Sequence, residues 1–132
     1  MKTRIIFFFS ILTAFTTQAF SQQMQAALDG KQYKIELMKD GTLDSKETLV
    51  FDQGTMDPLN CHQWGFTTSK YEAKNSGALS TFHVTCKSDK EGTMTWQGKV
   101  TGQEIEGTVV WDKTGQNAIR YTFKGKEAVP EK

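Results

Sequence analysis

Five side chains of this chain with sulfur or imidazole groups are candidates to bind a soft metal ion. They are Met56, Cys61, His62, His83 and Cys86. Thiolate, imidazole and thioether groups together are the ligands that copper prefers, and thiolate with imidazole also suits zinc. The adjacent side chains of Cys61 and His62 diverge unless the loop bends, and His83 is expected on the strand face opposite Cys86. The spacing therefore argues against one shared copper or zinc site.

Cys61 and Cys86 are the two cysteines of the chain. In an exported protein, which the N-terminus of this chain indicates, an even number of cysteines favours a disulfide. The bridge would close a loop of about 25 residues, and loop-closure entropy gives such a bridge about 3.5 kcal/mol. Domains of this size have net stabilities of only about 5 to 15 kcal/mol. We therefore expect a Cys61–Cys86 disulfide, and no metal or other cofactor.

Acid-base and nucleophilic chemistry have weaker support. Asp57 and His62 lie in one segment, but no local motif adds a nucleophile in the pattern of a hydrolytic triad. Glu104 and Glu106 share the polar face of a predicted strand, whereas glycosidase carboxylates need a cleft and one apolar setting. The sequence favours a non-enzymatic role, although catalytic groups that meet only in space leave no local motif.

Residues 1–21 have the pattern of a removable export signal. Lys2 and Arg4 precede an apolar stretch over residues 5–15, and residues 19–21 form a small-x-small cleavage site. The apolar stretch is too short to span a bilayer, and no later stretch is longer. We therefore predict an exported protein, periplasmic or extracellular, with no integral membrane segment after cleavage.

Residues 22–132 suit one compact domain. The formal charge of the chain is +1, and it falls to −1 once Lys2 and Arg4 are removed. A nearly neutral surface with charges of both signs favours neither nucleic acid nor an anionic membrane as a partner. The sequence leaves the oligomeric state open.

Alternation of apolar and polar residues predicts β-strands along most of this domain. The pattern is clearest between Gly92 and Gly125, where turns at residues 101–103 and 113–116 separate three strands. Five shorter strands are predicted at residues 33–38, 49–51, 54–56, 69–74 and 81–86. No interval between strands is long enough for a crossover helix, so parallel pairing is excluded. The expected fold is all-β, a single antiparallel up-and-down meander of about eight strands closing into a small barrel without exposed edges.

Four aromatic residues are candidates for ligand binding. They are Trp64, Trp96, Trp111 and Tyr121. The last three fall on the inward register of neighbouring predicted strands, and Trp64 lies in an irregular segment, residues 57–68, that could cover a barrel mouth. Gly98 and Gly107 also fall on the inward register, where a missing side chain permits a bend or leaves room. The interior of a small barrel is either filled by side chains or holds one small ligand. Aromatic side chains are suited to both, because they can pack a core or line a ligand pocket.

Glycines and aromatic residues recur at characteristic positions in the predicted hairpins. The positions are Cys61, Gly65, Phe66, residues 91–94 (EGTM), Trp96, Gly98, Gly102, residues 105–108 (IEGT), Trp111, Tyr121, Phe123 and Gly125. With these residues, about half of the domain resembles lipocalin-like, calycin-type small β-barrels, and more narrowly a set of small exported bacterial proteins of uncharacterised function. The resemblance implies an antiparallel barrel and binding of a small apolar molecule, and it brings no catalytic residues.

The leading hypothesis is an exported, non-enzymatic β-barrel that binds a small hydrophobic or aromatic ligand, with residues 57–68 at one rim. A structural or interaction protein of the cell envelope with a fully packed core is the alternative. Copper or zinc handling is a weaker third hypothesis. An open interior of about 300 Å³ or more between the inward aromatic side chains would favour binding.

Overall fold

The computed structural model describes residues 27–129, and the predicted export signal lies outside them. The elements are β1 Lys31–Lys39, β2 Thr42–Asp52, β3 Thr55–Pro58, the short 3₁₀-helix η1 Leu59–Trp64, β4 Ser69–Ser76, β5 Leu79–Ser88, β6 Gly92–Thr101, β7 Glu104–Asp112 and β8 Ile119–Ala128. Each strand pairs antiparallel with the next, and β8 pairs with β1, which closes the barrel. The predicted all-β, up-and-down barrel of eight strands is confirmed. Along residues 27–129, no helix is both long and apolar enough to cross a bilayer.

Alternation along each strand decides which side chains enter the barrel. In β1, Tyr33, Ile35 and Leu37 are buried, and the residues between them are exposed or half-buried. In β5, Phe82 and Val84 are buried in the same alternation. Successive side chains of a strand point to opposite faces, so one residue of every two belongs to the interior.

The interior near the start of β1 is filled with aromatic rings. Phe51 packs edge-to-face against Tyr33, Tyr71 and Phe82, with ring centroids separated by 5.9, 5.0 and 5.2 Å. Phe82 also packs against Phe123, at 6.4 Å. Such pairs contribute about 0.5 to 1.5 kcal/mol each beyond the area that they bury.

The residues that precede β1 close this end of the barrel. Leu28 is fully buried, and its backbone N–H donates to the Tyr71 hydroxyl at 3.2 Å. That hydroxyl donates to the Asp29 carboxylate at 2.6 Å, and the carboxylate also accepts from the backbone N–H of Gly54 at 3.0 Å. We call this the N-terminal end, and the opposite end, which carries η1, the η1 end.

A β-bulge interrupts the pairing of β1 and β2 near the η1 end. Leu37 pairs with Ser45 and Met38 pairs with Leu43, so the register skips Asp44. Two residues of a bulged strand oppose one residue of its partner, which bends the strand and redirects a side chain. Asp44 therefore leaves the regular alternation of β2.

Gly98 and Gly107 face each other across β6 and β7, where the strands approach closely. A Cβ atom at Gly107 would lie 2.6 Å from the Cα atom of Gly98 and would overlap the carbonyl oxygen of Gln97. A missing side chain here permits the sheet to bend as it closes.

We predict that Gly107→Ala lowers the free energy of unfolding by about 2 kcal/mol or more, because the new methyl group overlaps backbone atoms that cannot move independently. Thr108→Ala, on the exposed outer face of the same strand, is the matched control and should change stability by less than about 0.5 kcal/mol. Urea denaturation of both variants measures the difference. Wild-type stability of Gly107→Ala would contradict the close approach.

Candidate functional site

A cavity of about 350 Å³ lies at the η1 end of the barrel. Its walls come from β1, β2, β6, β7, β8 and η1. The four residues predicted to bind a ligand all line it: Trp64, Trp96, Trp111 and Tyr121. The interior is thus divided between a packed N-terminal end and an open space at the η1 end.

The strands β6, β7 and β8 supply the aromatic side of this cavity. Trp96 is fully buried, and the Nε1–H of Trp111 donates to the carbonyl oxygen of Glu91 at 2.6 Å. Trp64, in η1, packs against Trp111 with ring centroids 6.1 Å apart and is 44% exposed. Tyr121 is half-buried. Trp64 therefore lies at the mouth of the cavity, and Trp96 lies inside.

The indole nitrogen of Trp96 is buried without a hydrogen-bond partner among residues 27–129. A buried N–H group that donates to nothing costs free energy, which is why such groups are rare in folded proteins. The Trp96 side chain lines the cavity, but this nitrogen itself is out of reach of solvent.

The strand β2 and the helix η1 supply the polar side. Glu47 is only 3% exposed, because it alternates with Leu49 and Phe51 and so shares their inward register. Its Oε1 accepts from the backbone N–H groups of Thr48 and Asn60, both at 2.7 Å. These charge-assisted bonds compensate the carboxylate for lost water and tie η1 to β2.

Cys61 gives this carboxylate a third hydrogen bond, and the predicted disulfide is wrong. Cys61 and Cys86 are buried free thiols. The Cys61 thiol donates to Glu47 Oε2 at 3.1 Å, and Cys86 points inward from β5, opposite Met94. An even number of cysteines in the sequence did not reveal that an inward carboxylate engages one of them.

Burial raises the pKa of both thiols. For Cys61, the hydrogen bond and the negative charge of Glu47 raise the pKa further. The hydroxyl of Tyr121 also has a raised pKa, first because of burial and then because of the negative charge of Asp44. Cys61 and Tyr121 both line the cavity, so the protonated, uncharged forms of these two groups are favoured there.

The remaining candidate ligands for a metal are spread over the barrel. His62 contacts the Asp57 carboxylate, and its side chain is about half exposed. His83 is exposed on the outer face of β5, opposite to Cys86 as expected. Nowhere in the described part of the chain do three His, Cys, Asp or Glu side chains group as a metal ion would need.

The carboxylate pair on β7 keeps the surface position that its register predicts. Glu104 and Glu106 are both exposed, and Glu106 forms an ion pair with Lys99 at 3.0 Å. Neither residue lines the cavity at the η1 end.

Two acidic residues of the cavity, Asp44 and Glu47, are absent from the sequence-based candidates. The alternation of Glu47 with Leu49 and Phe51 is a signal that could have placed it inside the barrel. No comparable signal exists for Asp44, because a backbone bulge takes it out of the strand register.

Comparison of the chain with protein-family models, with curated proteins and with solved structures finds no match. The chemistry of the site therefore has to be argued from its geometry. That geometry consists of an aromatic side, a polar side with two carboxylates, and a mouth framed by η1.

We predict that Glu47→Ala lowers the free energy of unfolding by about 2 to 4 kcal/mol, because the N–H groups of Asn60 and Thr48 and the Cys61 thiol lose their acceptor. Glu72→Ala, an exposed glutamate on the outer face of β4, is the control and should cost less than about 0.5 kcal/mol. Urea denaturation compares them, and equal stabilities would show that the Glu47 network contributes nothing.

We also predict that stability falls at alkaline pH. The unfolded chain releases the protons of Cys61 and Cys86 near pH 8.5, the approximate pKa of a free thiol, whereas the folded protein retains them. The contribution of each thiol is complete below that pH, and it decreases by up to about 1.4 kcal/mol per pH unit as the pH rises toward the folded pKa. Burial raises the pKa of Tyr33 to about 12, which extends the effect above pH 10.

Urea denaturation at a series of pH values between about 7 and 11 measures this dependence. The Cys86→Ala variant lacks one of the two thiols whose pKa is raised by folding. Its stability should therefore fall less steeply than that of the wild type above about pH 8.5, the pKa of a free thiol. A stability independent of pH in this range would contradict the raised pKa values.

Proposed function

We propose that the protein is an exported, lipocalin-like β-barrel that binds a small apolar or aromatic molecule and catalyses no reaction. The observation that carries this proposal is the convergence of Trp64, Trp96, Trp111 and Tyr121 on one cavity of about 350 Å³. Small-molecule sites commonly have volumes of about 300 to 1,000 Å³ and an apolar lining with a few polar groups. A volume near the lower limit suits a compact molecule better than a long lipid chain.

The structure of the cavity mouth is a second observation in favour of ligand binding. Trp64 is 44% exposed although its ring packs against Trp111, so a molecule that enters beside η1 would cover an indole that water now reaches. The contact of His62 with Asp57 and the bonds from η1 to Glu47 hold this rim in place. A preformed rim reduces the ordering that binding requires.

The other hypotheses stay predictions. A packed envelope-interaction protein would use its outer surface, and its premise of a filled interior describes the N-terminal end better than the η1 end. Copper or zinc handling would draw on Cys61, whose thiol is engaged by Glu47. Export, signal cleavage and a periplasmic or extracellular location rest on the pattern of residues 1–21.

Tryptophan fluorescence tests the binding proposal directly. All three tryptophans of the chain line the cavity, so no tryptophan elsewhere dilutes the signal. Titration with compact aromatic compounds should change the emission in a saturable way, with a shift to shorter wavelength as Trp64 leaves water. We expect half-saturation below about 1 mM for at least one compound.

A cavity-filling variant identifies the site. Ser45 lines the cavity, so Ser45→Phe should place a ring in the space and abolish the saturable change. Thr48→Phe, on the outward register of the same strand, should bind as the wild type does. Equal binding by the two variants, or no saturation by any compound, would refute a ligand site in this cavity.

A further inference from the structure

The two sides of the cavity differ in charge. Asp44 and Glu47 line it on β2, whereas Trp96 and Trp111 line it on β6 and β7. In a closed ring of eight strands, β2 lies across the barrel from β6. The acidic side therefore faces the indole side across the open space.

The bulge in β2 brings the first carboxylate to the cavity. Ser45 opposes Leu37 on the inward register, and the skipped residue Asp44 lines the cavity together with Ser45. The negative charge of Asp44 acts on the hydroxyl of Tyr121, which lines the same space from β8, two strands away from β2 around the barrel. Asp44 therefore contributes its charge to the cavity, although it also contacts solvent.

The second carboxylate retains capacity for one more donor. Thr48, Asn60 and Cys61 donate to Glu47, which makes three hydrogen bonds. An ionised carboxylate offers about four acceptor positions. The carboxylate, which lines the cavity, therefore has capacity for one further donor beside its present partners.

The basic residues near the cavity cancel these charges only in part. Lys46 also lines the cavity, but its side chain is exposed to solvent on the outward register, so two carboxylates there stand against one ammonium group. Lys113 Nζ lies 4.0 Å from the ring centroid of Trp111 and pairs with Glu91 at 3.5 Å. The Lys113 contact also shows that an indole of this site accepts an ammonium group on its face.

We infer, building on the binding function proposed above, that the preferred ligand is an organic cation: an amine carried on an aromatic or compact apolar body. Its ammonium group would lie beside Asp44 and Glu47, and its body would pack among the indoles. Aromatic faces combined with carboxylates favour ammonium groups and disfavour carboxylate ligands.

Three phenols of nearly equal shape test the charge preference. Tyramine carries an ammonium tail, para-propylphenol a neutral tail, and para-hydroxyphenylpropanoate a carboxylate tail, while all three offer the same hydroxyl oxygen. Calorimetric titration of the purified protein at neutral pH should rank them in that order. We expect tyramine to bind at least about tenfold more tightly than para-propylphenol, and the carboxylate to bind most weakly.

Two isosteric variants assign the preference to the carboxylates. Asp44→Asn, at an exposed position, should reduce the advantage of tyramine to about threefold or less while para-propylphenol binds unchanged. Glu47→Gln should act in the same direction, and Asp44→Asn keeps the test valid if Glu47→Gln does not fold. Glu36→Gln, a charge change on the outer face of β1, is the control and should leave the ranking intact.

The outcomes separate this inference from the binding function. If para-propylphenol or the carboxylate binds as tightly as tyramine, the cation preference is refuted and the binding function stands. If none of the three binds, and the compounds of the fluorescence titration also fail, both are refuted. An unchanged tyramine preference in both carboxylate variants would overturn the role assigned to Asp44 and Glu47.

Discussion

The pairing of β8 with β1 is the constraint on which the rest of the structure depends. It closes eight strands into a ring whose interior is just wide enough for side chains to fill, so each inward residue either fills the interior or leaves a space. Along β2 the inward residues are Ser45, Glu47, Leu49 and Phe51. The last two contribute to the packed N-terminal end, and the first two are small or polar. The cavity thus lies where the inward register of β2 stops supplying large apolar side chains.

The buried carboxylate of Glu47 is a cost that a filled barrel would avoid. A buried charge without partners is strongly unfavourable, and here the N–H groups of Thr48 and Asn60 and the Cys61 thiol compensate it. Two of these donors belong to η1, which is not held by the strand-to-strand hydrogen bonds of the barrel. The bonds to Glu47 therefore reduce the cost of burying the carboxylate, and they also position the segment that carries Trp64. The site and its rim are coupled through one side chain.

The sequence predicts the strands well because each has one buried and one wet face, and alternation records that difference. It predicts β2 only over residues 49–51, whereas the strand begins at Thr42, because inward residues beside a cavity need not be apolar. The aromatic side of the site follows from the same alternation at Trp96 and Trp111. The disulfide prediction failed because counting cysteines says nothing about the orientation of their side chains or about the carboxylate that Cys61 contacts.

The acidity of the cavity depends on a backbone irregularity that alternation cannot reveal. If β2 continued in regular register past Ser45, Asp44 would pair with Met38 on the outer face and Leu43 would take the inward position. The η1 end would then gain an apolar side chain and lose a carboxylate. The bulge exchanges these two residues, leaving Leu43 48% exposed and Asp44 at the cavity. Exposing a large apolar side chain is unfavourable, so this arrangement makes the fold less stable than one with Leu43 buried. In return, the cavity has a carboxylate and an open space where a filled interior would have a leucine side chain.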